Sequence, residues 1–302
     1  MGPLLFNIFI NDLFDFLEKT LICNFADDNN LYTSGMSLDI VTEKLRYDTS
    51  IVLHWFSLNS MVANPEKFQI MFLGIKDNTN LTFEINGFNI SATNTVKLLG
   101  ITIDHKLSFS LHVEAICKQA SQKTNALLRI RKYLSLDKAS LLFKAYVFSN
   151  FFYCPLIWMF CSKASHNLIN KVHRRALCAL YFRFDLDLPE LLKLDGSLTI
   201  HTKHLQTLMT EVFKCLNKLN PEFMWGYFVH KETPYTLRSL NTVKLPPTKT
   251  RSFGLNTFKF RASILWNTLP RYLKLCSGLN EFKLKIKSWE GSDCSCSFCR
   301  KF

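Results

Sequence analysis

Several features are scarce or missing in this sequence, and each absence narrows what the chain can be. Met1 is followed at once by Gly2-Pro3, not by the charged and apolar regions of a secretory signal. This predicts an intracellular setting, cytoplasmic or nuclear, in which the 10 cysteines stay reduced. No run of lysine and arginine alone is long enough to be a clear nuclear address, and no internal repeat is apparent. Charged residues are only 20% of the chain against 48% hydrophobic, which excludes a disordered protein. From 115 to 180 acid is almost absent: Asp137 stands alone against 11 lysines and arginines.

The 302 residues suffice for two domains and a sizeable core, and 27 phenylalanines imply much buried aromatic surface. The net charge of +13 is unevenly spread. Residues 1–114 carry 7 basic and 13 acidic groups, a net −6, while 115–180 carries +10 and the remainder +9. An acidic front and a basic body suit a metal site beside a nucleic-acid track.

The front is organised around one stretch. An apolar run, Leu21-Ile22-Cys23-Asn24-Phe25, reaches Ala26-Asp27-Asp28, crosses a polar turn and leaves through Leu31-Tyr32. This pattern predicts a β-hairpin with two carboxylates at its tip. Mg²⁺, a hard cation that shares oxygen ligands with substrate phosphates, suits such a pair. An isolated Asp-Asp more often marks a solvated turn, so the context decides. Gly2-Pro3-Leu4-Leu5-Phe6 and Asn11-Asp12-Leu13 precede it, and Phe25-Ala26-Asp27-Asp28 follows after a short spacer.

These motifs, in this order and spacing, resemble the reverse transcriptases of non-LTR retrotransposons (LINE-type, jockey-like). The resemblance implies an α+β fold: a partial polymerase palm of antiparallel hairpins with helices over 1–114, a mainly helical thumb over 115–185, and a mixed carboxy-terminal region over 186–302. It implies catalytic roles for Asp27, Asp28 and Lys67. The two aspartates would hold Mg²⁺ in a two-metal site, and Lys67 would lie near the incoming triphosphate. It also implies that a further carboxylate, from a strand ahead of Gly2, is missing, together with the fingers. The metal site is then incomplete, and the chain would be inactive without a complementing chain. The implied partners are an RNA template, a DNA primer duplex and deoxynucleoside triphosphates. Lys118, Lys123, Arg129, Arg131, Lys132, Arg174 and Arg175 would hold the duplex by its phosphates. A non-catalytic nucleic-acid-binding remnant stays open as an alternative.

Further along, Pro3 starts a helix over 3–19, and Ser37 caps one running to Ser60. Asn64-Pro65 leads into a strand with Lys67 at its mouth. Asn86-Gly87 joins two strands. Val96 to Asp104 reads as another strand, similar to the family's primer-gripping hairpin, with Asp104 structural. Asp137 is a candidate cap for the next helix. Ala145 to Cys161 is nearly uncharged and just long enough to raise a membrane span, but Ser149, Asn150 and Pro155 interrupt it. A buried helix is expected there and no membrane partner. Leu186-Asp187-Leu188-Pro189 and Lys231 to Lys249 read as linkers. Arg261 to Pro270 and Phe282 to Trp289 look like the closing segment of the same retroelement frames. Cys294, Cys296 and Cys299 supply three thiols with no fourth zinc ligand nearby and His230 too remote to assume, so a frayed tail is expected.

Overall fold

The structure is a computed structural model, and it describes all residues except 86, 232–240, 251–253, 292–293, 295, 297 and 300–302. The chain forms two compact units, residues 1–107 and residues 108 onward.

In the first unit, helix α1 (Gly2–Ile10) starts with Pro3 in its first turn. It passes into a 3-10 turn over Asn11–Phe16, so the regular helix ends well before residue 19. Strands β1 (Leu21–Phe25) and β2 (Asp28–Tyr32) pair antiparallel. Helix α2 (Leu38–Leu58) runs between Ser37, whose side chain accepts from the Ile40 N–H, and Asn59. Hairpins β3–β4 (Thr82–Ile85, Phe88–Ser91) and β5–β6 (Thr95–Leu98, Ile101–Asp104) follow, each a separate two-stranded sheet. The fold is thus mixed helix and strand, built on small antiparallel hairpins.

Two further expectations for this unit are corrected. Val96 to Asp104 is a hairpin rather than one strand, because Leu99 and Gly100 both take positive φ (46° and 82°) and turn the chain in two residues. The stretch after Lys67 forms no strand. Residues Pro65–Lys67 make a 3-10 turn, and only an isolated bridge joins Ile70 to Ala92. The side-chain amide of Asn78 takes both backbone groups of Phe72: its Oδ1 accepts from the Phe72 N–H at 2.7 Å and its Nδ2 donates to the Phe72 carbonyl at 3.1 Å. A neighbouring strand would need those groups.

Helix α2 divides the apolar packing. Val52 and Trp55 join Ile10 and Leu13, against which Ile22 and Leu31 of the first hairpin pack. Leu45 and Leu53 face Phe83, Ile85 and Ile90 of β3–β4. Much apolar surface stays open: on α1, Leu4, Leu5 and Ile8 are 66%, 58% and 64% exposed.

The second unit is helical. Helix α3 (Ser110–Arg131) packs along α6 (Lys163–Tyr181), with α4 (Leu136–Leu142) between them in sequence. Ser135 is the residue before α4, and Asp137 lies in its first turn rather than capping it. The uncharged stretch 145–161 is not one helix. It breaks into a π turn (Phe143–Val147), a 3-10 turn (Phe148–Phe151) and the short α5 (Pro155–Trp158). Ser149 Oγ and Asn150 Nδ2 donate to carbonyls three and four residues back, and Pro155 has no N–H to continue a helix. Among the described residues no helix is long and apolar enough to cross a membrane.

Helices α7 (Leu188–Asp195) and α8 (Ile200–Leu216) come next. The stretch through Pro189 is a helix start, not a linker: Asp187 and Glu190 form a reciprocal capping box, each bond 2.9 Å. Residues 232–240 of the other expected linker lie outside the described residues. The flanks of that linker pair, with Lys231 N–H donating to Thr242 O and Lys244 N–H to Val229 O. Helices α9 (Phe258–Thr268), α10 (Arg271–Lys274) and α11 (Leu279–Ile286) then close over α8. Met209, Val212, Phe213, Trp266 and Phe282 belong to this core.

Candidate active site and nucleic-acid interface

The register Phe25↔Asp28 leaves Ala26 and Asp27 as a two-residue turn. The polar residues Asn29 and Asn30 therefore belong to β2, and the turn is shorter than the sequence suggested. Ala26 takes φ 54°, a left-handed conformation unfavourable for a residue with a Cβ. Asp27 is at the tip and Asp28 opens β2, both exposed.

The neighbouring amides occupy backbone oxygens rather than the carboxylates. Asn29 Nδ2 donates to the Asp27 carbonyl at 3.2 Å, and Asn30 Nδ2 to those of Asp28 and Cys23 at 3.3 Å. Neither carboxylate has a hydrogen bond or ion pair among the described residues, so both are free to meet a cation. They fit Mg²⁺ in kind, as hard oxygen donors. They fall short in number, because no third His, Cys, Asp or Glu joins them in a metal-capable group among the described residues.

The hairpin is held from behind by a carboxylate that sequence reading passed over. Asp48, in the middle of α2, is fully buried. Its oxygens accept the N–H groups of Glu18 (3.3 Å), Lys19 (2.9 Å) and Thr20 (2.6 Å), the residues that lead into β1. Its only sequence signal is an acid on an otherwise apolar helix face. Lys67 ends the 3-10 turn that Asn64 caps, exposed, and no ion pair joins it to either aspartate among the described residues. Asp104 is buried, and its Oδ1 accepts the Lys106 N–H at 3.1 Å, in keeping with a structural role.

The basic residues of the second unit divide by their partners. Arg131 Nε donates to the Leu180 carbonyl at 2.6 Å and Nη1 to Leu134 O at 2.9 Å, which ties the ends of α3 and α6. Arg174 reaches the carbonyls of Leu186 and Phe184 beyond α6. Lys123 Nζ donates to Asn150 Oδ1 at 2.8 Å. Lys118, Arg129 and Lys132 stay exposed. Eleven residues separate Lys118 from Arg129, three helical turns or about 16 Å along one face. Arg175 joins that face, with Nη2 donating to Asn125 Oδ1 at 2.7 Å.

The three cysteines near the end of the sequence do not stand apart. Cys294, Cys296 and Cys299 gather against His201 at the start of α8, 93 residues before Cys294. Hydrogen bonds from the Cys294 and Cys299 thiols, and then from His201, hold the Cys296 thiol below its ordinary range.

Residues 1–103 match the family model described as reverse transcriptase (RNA-dependent DNA polymerase). The chain is 26% identical over 192 residues to a probable RNA-directed DNA polymerase from transposon BS of Drosophila melanogaster, covering 60% of this chain and 21% of that protein. It is also 26% identical over 189 residues to the RNA-directed DNA polymerase from mobile element jockey of Drosophila funebris, covering 59% and 20%. The chain therefore spans about a fifth of the length of the curated relatives it matches. No solved structure matches it. The Asp27-Asp28 hairpin lies inside the matched segment, and over these stretches the chain is similar to the reverse transcriptases of retrotransposons such as jockey.

Proposed function

We propose that the chain is the part of a retrotransposon RNA-directed DNA polymerase that runs from the carboxylate hairpin of the palm through the thumb. One observation carries this reading. Two unpartnered carboxylates stand at the tip of a short hairpin inside the segment that matches reverse transcriptase. Asp27 and Asp28 would hold Mg²⁺, which when bound neutralises triphosphate oxygens and lowers the charge barrier to nucleotidyl transfer. The chain's own groups position and balance charge. The hairpin fixes the carboxylates, Asp48 fixes the hairpin, and Lys67 offers an exposed ammonium for a triphosphate or its departing pyrophosphate. The face of Lys118, Arg129 and Lys132 on α3 would track the phosphates of an RNA–DNA duplex, giving affinity without base specificity.

Two carboxylates are fewer than a two-metal site takes, so these 302 residues alone bind duplex and do not polymerise. Given primer–template, deoxynucleoside triphosphates and Mg²⁺, the purified chain is expected to leave the primer unextended. A chain lengthened upstream in its own reading frame, with a further carboxylate-bearing strand, is expected to extend it and to lose that ability with Asp27→Ala. Extension by residues 1–302 that Asp27→Ala abolishes would overturn the incompleteness. A lengthened chain whose extension is indifferent to Asp27→Ala would overturn the reading itself.

Binding without catalysis is a second reading, favoured by the unspent charge on α3. It predicts duplex affinity that falls steeply with salt in the 302-residue chain, and no binding at low salt would end it.

A further inference from the structure

After α11 the chain turns at the buried Trp289 and returns along α8. Gln206 Nε2 donates to the carbonyls of Lys287 and Trp289 at 3.2 and 2.8 Å, and Thr202 Oγ1 to that of Glu290 at 3.4 Å. Gly291, at φ +75°, runs so close to α8 that a Cβ there would meet Leu205 Cδ1 at 2.6 Å. These contacts deliver Cys294, Cys296 and Cys299 to the first turn of α8, where His201 is the second residue. Phe298 sits among them, stacked on His166 at 4.6 Å and edge-on to His201 at 5.4 Å.

The four donor atoms all lie within 4.8 Å of one another. His201 Nε2 is 3.8 Å from Cys294 Sγ and 3.5 Å from Cys296 Sγ. A tetrahedral Zn²⁺ with bonds of about 2.3 Å to sulfur and about 2.05 Å to nitrogen places sulfur and nitrogen about 3.6 Å apart, and two sulfurs about 3.8 Å apart. These two nitrogen–sulfur separations already match, and no pair in the cluster needs to close by more than about 1 Å. Hydrogen bonding alone is a poor account of the cluster. Thiols are weak donors, and His201, 95% buried, has an Nδ1 with no partner among the described residues.

We propose that His201, Cys294, Cys296 and Cys299 form a structural Zn²⁺ site. Three thiolates and an imidazole are soft and borderline donors that favour zinc over the hard cations suited to Asp27 and Asp28. Four protein ligands leave no open position, so the ion closes the fold and does not catalyse. Binding releases the three thiol protons to solvent and leaves a site of net charge −1. The positive end of α8, at His201, offsets that charge. The site fastens Cys294, Cys296 and Cys299 to α8, and so ties these residues to the second unit.

The 302-residue chain, purified without chelator under reducing conditions, is expected to carry one zinc per chain by elemental analysis. X-ray absorption should find three sulfurs at about 2.3 Å and one nitrogen at about 2.05 Å. His201→Ala and Cys296→Ser should lose the metal. His201→Cys should keep it with four sulfurs, which separates lost ligation from lost folding. Cys276→Ser, outside the cluster, should leave the stoichiometry unchanged. A metal-free wild-type chain that gives no tetrahedral thiolate spectrum with Co²⁺ would overturn the proposal. So would full zinc retention in His201→Ala.

Discussion

The most direct test of how the carboxylate hairpin is held is removal of Asp48. The side chain is fully buried and accepts three backbone N–H groups, from Glu18, Lys19 and Thr20. Asp48→Ala leaves all three without an acceptor and opens a small cavity. Hydrogen bonds to a charged group contribute about 1.5–3 kcal/mol each and do not add fully. The expected loss is about 3–5 kcal/mol, the range seen when a buried charged network is broken. Asp48→Asn should be milder. An amide oxygen in the Oδ2 position keeps the bonds to Lys19 and Thr20, at 2.9 and 2.6 Å, and only the 3.3 Å bond to Glu18 meets a donor instead. About 1–2 kcal/mol is expected there, one unsatisfied buried group.

Amide hydrogen exchange reads the effect locally. Residues 18–20 are protected by this carboxylate, so Asp48→Ala should speed their exchange a hundredfold or more, the kinetic equivalent of about 3 kcal/mol. Exchange in β1 and β2 should rise with it, because the lead-in to β1 is then unpinned, while α6 and α8 in the other unit stay unchanged. Unaltered protection at 18–20, with a stability change under about 0.5 kcal/mol, would show that water or a shifted backbone replaces the carboxylate. The account of the hairpin's anchoring would then fail.

Three further outcomes follow from the geometry. Burial holds the His173 and His204 imidazoles down to about 4 and about 3, so the folded chain stays neutral there while an unfolded one protonates near 6.5. Stability present above pH 6.5 should drain away as the pH falls towards 4, by about 2 kcal/mol per histidine at pH 5. His204→Gln, which keeps a donor for the Phe151 carbonyl, should flatten the acid slope by one proton, and a denaturation midpoint constant from pH 7 to 5 would contradict this. Asp187→Ala breaks the capping box of α7 and should cost about 1 kcal/mol in urea unfolding, with Asp187→Asn nearly neutral. Changing Lys118, Arg129 and Lys132 together to Gln should weaken duplex binding evenly across sequences and lower the salt slope by about 2–3, and an unchanged slope would remove α3 from the interface.

Much of the first unit was legible because its signals are local. Ser37 and Asn59 bracket α2, Pro3 opens α1, and the apolar run into Ala26-Asp27-Asp28 became the expected hairpin. Each rests on neighbours a few residues apart. The misreadings share a different cause. Leu186-Asp187-Leu188-Pro189 reads as a linker by composition, although a proline early in a helix costs little when an Asp-x-x-Glu box spans it. The 145–161 stretch looked like one helix by hydropathy, but hydropathy is blind to the Ser149 and Asn150 side chains that compete for the helix's own carbonyls. Residues 68–73 looked like a strand by composition, but a strand needs a partner, and Asn78 had already taken the Phe72 backbone.

The candidate sites divide along the same line, and the division has a physical origin. A group that meets substrate or metal must be left unspent by the fold, as Asp27 and Asp28 are, so few contacts mark it and a motif must identify it. A group that holds the fold is known by its partners, which the chain brings from far away: Asp48 from 28 residues, His201 from 93. The acidic side chains at 27, 28 and 48 are chemically alike, yet only the three N–H groups converging on Asp48 tell it apart. The same reasoning sorts the basic residues. Arg131 and Arg174 are committed to carbonyls at helix ends and would cost stability if drawn away to phosphate, while Lys118, Arg129 and Lys132 can turn to a duplex without breaking a hydrogen bond among the described residues, Lys132 giving up only its contact with the Tyr133 ring. The interface should therefore be sought on the exposed face of α3, because charge that is already hydrogen-bonded at home contributes little to binding.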